Sequence, residues 1–179
     1  MKRFLKTVPK LIVTPALVTG MAAITLYLLG TVPDYINPPE SGYRQYSSLE
    51  DAEAYLGFKV VVPTYFPSYL AWPPVEVYGQ REPVPMVQML FVSQHGSVET
   101  MVISQIASDS EDPPVAFPWV RTVAKETPVS IGNSDGMMVT GFRADGQPVT
   151  GAYWRSGGFY FVVVTTRSER ELLTIVRSM

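Results

Sequence analysis

Few residues in this chain have the type and spacing to do chemistry. His95 is the single histidine and stands in Gln94-His95-Gly96. A Ser/His/Asp triad would have to use it, yet no G-x-S-x-G elbow is present. The local sequence reads as a hairpin turn with an exposed imidazole. A histidine-based metal site would need further ligands that no spacing marks. Asp109, Glu111 and Asp112 offer oxygen ligands, but D-S-E-D-P-P lacks the length and the glycine of a calcium loop. Asn133-Ser134-Asp135-Gly136 has the composition of a turn. Glycoside hydrolysis needs two carboxylates at a set separation, and sixteen acidic residues nominate no particular pair. No catalytic, metal-binding or cofactor-binding residue is therefore assigned.

The residues that stand out are aromatic. Tyr65, Phe66, Tyr69 and Trp72, joined by Phe117 and Trp119, are flanked by Pro63, Pro67, Pro73, Pro74 and Pro118. Rings on stiff proline-bounded loops can form a binding surface or dip into a lipid headgroup layer. The plainer expectation is that they plug the open end of a sheet as core. Contiguous exposure of several rings would decide for a surface.

What carries these loops follows from the stretch Leu11 to Val32, LIVTPALVTGMAAITLYLLGTV, which contains no charged residue. As a helix it would be about 33 Å long, enough to cross a hydrocarbon core of about 30 Å. The apolar run is longer than a signal-peptide core and ends without a small-x-small cleavage pattern, which favours an uncleaved anchor. Lys2, Arg3, Lys6 and Lys10 precede it, whereas Asp34 and Glu40 are the first charges after it. The positive-inside rule then places the N-terminus in the cytoplasm and the remaining chain outside the cytoplasmic membrane. Within the span, Ala16, Gly20 and Ala23 share one helical face that another membrane helix could approach closely; small residues are also simply common in such helices.

The expected organisation is a basic tail (residues 1–10), a transmembrane helix (11–32), a proline- and tyrosine-rich spacer (33–47) and one outer domain (48–179). All sixteen acidic residues and ten of the fourteen basic ones follow the span, leaving the outer part near −6. That balance argues against nucleic acid as a partner. The absence of cysteine excludes disulfides and thiol chemistry. Sixteen prolines and thirteen glycines point to short strands and turns.

Ser48 caps a short helix with Glu50 and Asp51 in its first turn and Gly57 as its stop. Strands are expected at Phe58–Val62, Val75–Tyr78, Pro85–Ser93, Val98–Ile106, Val120–Lys125, Pro128–Ile131, Gly136–Arg143, Pro148–Arg155 and Phe159–Thr165, the last lying centrally in the sheet. Ala144-Asp145-Gly146-Gln147 is the strongest turn signal. Ser168 and Glu171 fit a capping box opening a final helix with Leu172, Leu173, Ile175 and Val176 as its apolar stripe. The expected class is α+β: a membrane helix, then a curved antiparallel sheet of six to eight strands flanked by a short N-terminal and a C-terminal helix.

Leu56-Gly57-Phe58, Val60 to Pro63 and Tyr65-Phe66-Pro67 recur in a recognisable order with Ala152-Tyr153-Trp154, Gly157-Gly158-Phe159-Tyr160 and Ser168 to Leu173. In these features the chain resembles a family of small extracytoplasmic domains of unknown function. They follow a single membrane helix in anti-sigma-factor-like and sporulation-associated bacterial proteins. The resemblance implies an envelope-facing domain and carries over no catalytic residue. Residues 1–10 are too short to form a sigma-binding domain, so the implication concerns the outer part.

The expected function is binding without catalysis: a sensor, a regulator or an accessory subunit. Its partners would be the lipid bilayer and a membrane protein. A carrier that holds lipid or apolar peptide in the concave sheet face is the alternative, and a cryptic hydrolase would require a pocket with perturbed carboxylates.

Overall fold

The computed structural model describes residues 43–94, 99–107 and 119–179. The expected membrane span with Ala16, Gly20 and Ala23, the turn expected at His95, the acidic cluster Asp109, Glu111 and Asp112, and Phe117 lie outside these residues. The described chain is α+β. Its elements are β1 (Arg44–Tyr46), α1 (Leu49–Leu56), β2 (Glu76–Gln80), β3 (Met86–Val92), β4 (Glu99–Ala107), β5 (Thr122–Ile131), β6 (Ser134–Phe142), β7 (Pro148–Ser156), β8 (Phe159–Thr165) and α2 (Glu169–Val176).

The strands form one antiparallel sheet in the order β1-β2-β3-β4-β8-β7-β6-β5. It is two four-stranded meanders joined at the β4–β8 seam. Within the second meander, tight turns set the register. Gly157 and Gly158 have φ of 60° and 81° and link Ser156 to its partner Phe159. That two-residue turn matches the twist of the flanking strands and is closed to residues with a Cβ except at a strain cost. Around Ala144–Gln147, Arg143 N–H donates to the Gln147 carbonyl at 2.8 Å, with Gly146 at φ 80°. Between β5 and β6 the turn residues are Gly132 and Asn133, one step earlier than the composition of 133–136 suggests.

The core lies mainly on one face of the sheet. Met89, Phe91, Met101, Ile103, Ala152, Trp154, Phe161 and Val163 meet Leu172, Ile175 and Val176 of α2 there. Ala52 and Leu56 of α1 cover Val77 and Val87 on the same face. Ile106, Val149, Tyr160, Val162 and Val164 form a separate cluster. Since side chains alternate along a strand, Val162 and Val164 face away from Val163. Strand β8 is buried on both faces and sits between β4 and β7, the central place its FYFVVVT sequence predicts.

Several expectations change. Phe58–Val62 is extended but pairs with no strand; its valines lie across the core cluster as a cover. Arg44–Tyr46, inside the expected spacer, is the edge strand β1. The two short strands expected at 120–131 are one strand, β5, with Pro128 inside it. Its place at the end of the sheet explains how proline is tolerated. Strand β3 alternates buried and half-buried positions.

Helix α1 starts as expected: the Ser48 hydroxyl accepts the Asp51 N–H at 3.1 Å, and Gly57 at φ 81° closes the other end. Replacing Ser48 by alanine should cost about 1 kcal/mol, read as a small shift of the urea midpoint at unchanged slope. The capping box at α2 is not formed. Ser168 makes no side-chain cap bond.

Candidate aromatic binding site

The segment Pro63–Trp72 forms an aromatic corner, fastened at both ends by backbone bonds. At one end, the Thr64 N–H and hydroxyl donate to the Ser178 carbonyl at 3.0 and 2.9 Å, and Tyr65 N–H donates to the Ser178 hydroxyl. At the other, Ala71 N–H donates to the Val92 carbonyl and Gln94 N–H to the Tyr69 carbonyl. Leu70 bridges to Ser93 and is itself buried. These bonds hold the loop at both ends.

On this frame the rings grade from core to solvent. Phe91 of β3 is fully buried. Phe66 packs on it at 5.2 Å between centroids and meets Trp72 edge-on at 5.0 Å. Trp72 lies nearly parallel to Phe91 at 6.2 Å and is 53% exposed, and Tyr65 is 46% exposed. Val75, directly after the proline pair, is also exposed. Thus Phe66 plugs the sheet as core while Tyr65 and Trp72 stand in solvent beside it. One aromatic group serves both roles that its sequence suggested.

Tyr69 belongs to the corner but not to its surface. Its ring carries the Arg167 guanidinium at 4.4 Å. Its hydroxyl is buried without a hydrogen-bond partner among the described residues. Burial, and then the nearby Glu171 carboxylate, raise its pKa, so the group stays protonated far above neutral pH. Trp119 is placed elsewhere. It packs beside Ile106, Val149 and Tyr160, with the Arg143 guanidinium 4.8 Å from its ring. The structure therefore joins Phe66 and Trp72 to Phe91, leaves Tyr65 exposed next to Phe66 in the chain, and separates Trp119 from them.

A second apolar concavity of about 410 Å³ opens on the core face between the 58–61 segment and the β7–β8 hairpin. Trp154 and Phe161, a directly opposed cross-strand pair, stack at 5.2 Å to line it, with Phe159 and Phe58 tilted together at 5.1 Å. Sequence reasoning missed this feature. Its signal was present: aromatic residues at 159 and 161, alternate positions of one strand, with Trp154 across a glycine turn. Gln105 closes the cavity wall. Its amide accepts Val61 N–H at 2.8 Å and donates to the Lys59 carbonyl at 3.0 Å. Glu53 supports the same segment by accepting Val60 N–H and the Lys59 ammonium, and those bonds hold its carboxyl below the usual range.

Both features offer ring faces, methyl groups and fixed backbone, which suit recognition. Comparison with known protein families, curated proteins and solved structures gives no match to this chain. The class that the geometry defines is an α+β domain with an exposed aromatic ridge on a pinned loop.

Proposed function

We propose that this chain is a non-enzymatic binding domain, held outside the cytoplasmic membrane by the span at residues 11–32. It acts as a regulator or accessory subunit of a membrane protein assembly. The observation that carries the reading is Trp72, half-exposed and seated on Phe66 and Phe91, with the half-exposed Tyr65 on the same fastened loop. Rigid aromatic side chains lose little entropy when covered and dominate protein interfaces. The charge-free span and the basic residues before it supply the anchor and its orientation.

Gentle detergent extraction of the full chain should yield a membrane protein at fixed stoichiometry. Combining Tyr65→Ala with Trp72→Ala should weaken that association by roughly tenfold or more while leaving the circular dichroism unchanged, because hot-spot rings are each worth about 2 kcal/mol. Association unaffected by the double variant would overturn the ridge as the contact. The concavity over Trp154 and Phe161 favours a second reading, a carrier for an apolar peptide. Recovery of such a peptide in place of a protein partner would select it.

A further inference from the structure

Two arginines converge on one tyrosine where β1, α1 and the end of β2 meet. Arg44 of β1 has its guanidinium carbon 5.5 Å from the Tyr55 ring centroid, and Arg81, just past β2, has its own at 4.6 Å. Arg81 Nε also donates to the Tyr55 carbonyl at 2.6 Å, in the last turn of α1. Both side chains are exposed. Neither has a carboxylate within ion-pair distance among the described residues. Arg81 spends one of its N–H groups on Tyr55 and keeps the others, and a guanidinium has five donors in a planar fork. Two cations drawn to one ring repel each other unless an anion lies between or beside them. In a domain whose overall charge is negative, this pair is a local exception.

We propose that Arg44 and Arg81, which share the Tyr55 ring, bind the phosphate of lipid headgroups that carry a net negative charge in the bilayer that holds this chain. The inference rests on the anchored reading above. Chain length argues for this occupant. Ten residues separate Val32, the end of the span, from Tyr43, which precedes Arg44. Fully extended they cover about 35 Å, which sets the farthest β1 can stand from the end of the span and keeps the headgroup layer within reach. Guanidinium forks match phosphate oxygens two at a time, and tyrosine rings favour the membrane interface. The Tyr46 ring, 5.5 Å from Tyr55, extends the aromatic surface beside the pair. Holding this corner on the headgroups would fix the height and tilt from which the aromatic ridge meets a partner.

The test is amide hydrogen exchange on the full chain in nanodiscs of phosphatidylcholine, with or without phosphatidylglycerol. Wild type should show roughly tenfold slower exchange at Arg44–Tyr46 and around Arg81 when the anionic lipid is present, because each arginine near such a surface adds about fivefold in binding. The protection should vanish in high salt and in the Arg44→Gln/Arg81→Gln double variant, while β4 and β8 stay unchanged. A purely structural role for the arginines would give equal exchange in both lipids and would overturn the proposal. Equal protection by inorganic phosphate in phosphatidylcholine discs would also overturn it, in favour of a free-anion site. Release of wild type from the discs by alkaline washing would remove the anchored reading itself, and this inference with it.

Discussion

Replacing Phe91 by alanine should cost the domain about 3–5 kcal/mol and abolish recognition by the aromatic ridge at the same time. Phe91 is fully buried in β3, opposite Met101, and forms part of the core beneath α2. Its removal leaves a cavity that the fastened corner cannot collapse into, because Ala71 and Val75 are bonded to the β3 carbonyls of Val92 and Leu90 on either side of it. The same ring is the support on which Phe66 and Trp72 stack. The expected readouts are a lowered urea midpoint and a melting temperature lower by about 10 °C. Under conditions where the variant is still folded, Trp72 emission should change and partner binding should be lost. Phe91→Leu, which keeps most of the volume, should cost under about 1.5 kcal/mol and retain binding. A loss below about 1 kcal/mol for the alanine variant would mean that the core does not depend on this ring.

Gln105→Leu should rank second, at about 2–4 kcal/mol. Leucine approximates the size of glutamine, so little cavity forms. The cost comes from the groups left behind: the Val61 N–H and the Lys59 carbonyl lose their partners at the edge of the core. A partner stranded away from water costs about 1–3 kcal/mol. Glu53 still holds Val60 and Lys59, so the segment should loosen without detaching. Hydrogen exchange at Val61 should accelerate, and the cavity over Trp154 and Phe161 should widen, while β4 and β8 remain protected. Unchanged exchange at Val61 would show that Glu53 alone fixes the segment.

The difference between these positions and the hairpins shows what could be read from residues in order. Gly157-Gly158 and the Ala144–Gln147 turn declare themselves because a tight turn needs particular residues at adjacent places, and the turn then sets the register of its two strands. Ser48 and Gly57 mark the ends of α1 for the same local reason. The apolar run of β8 announced a central strand. The serine before α2 gave the same capping signal as Ser48, yet no cap bond formed. The local motif is present there without the bond it signals.

The aromatic group was legible as a group, but its division was not. Whether a ring is core or surface depends on what lies beneath it, and Phe91, nineteen positions beyond Trp72, supplies that support. Trp119 resembled the other rings in type and in its proline neighbour, yet it packs with a cluster on the opposite side of β8. Arg44, Tyr55 and Arg81 carried no shared signal, because β1, α1 and the end of β2 meet only once the sheet edge is formed.

By itself the sequence determined the class of the domain, its hairpin turns, the central strand and the acidic balance, since each depends on residue type and near-neighbour spacing. The tertiary structure decided the β4–β8 seam, the seating of 58–62 on Gln105 instead of in the sheet, the exposure of Trp72 and the convergence of two arginines on Tyr55. These are contacts between distant residues, chosen by which arrangement buries the most apolar surface while leaving the fewest backbone groups unpaired, and that competition is settled only by the whole fold.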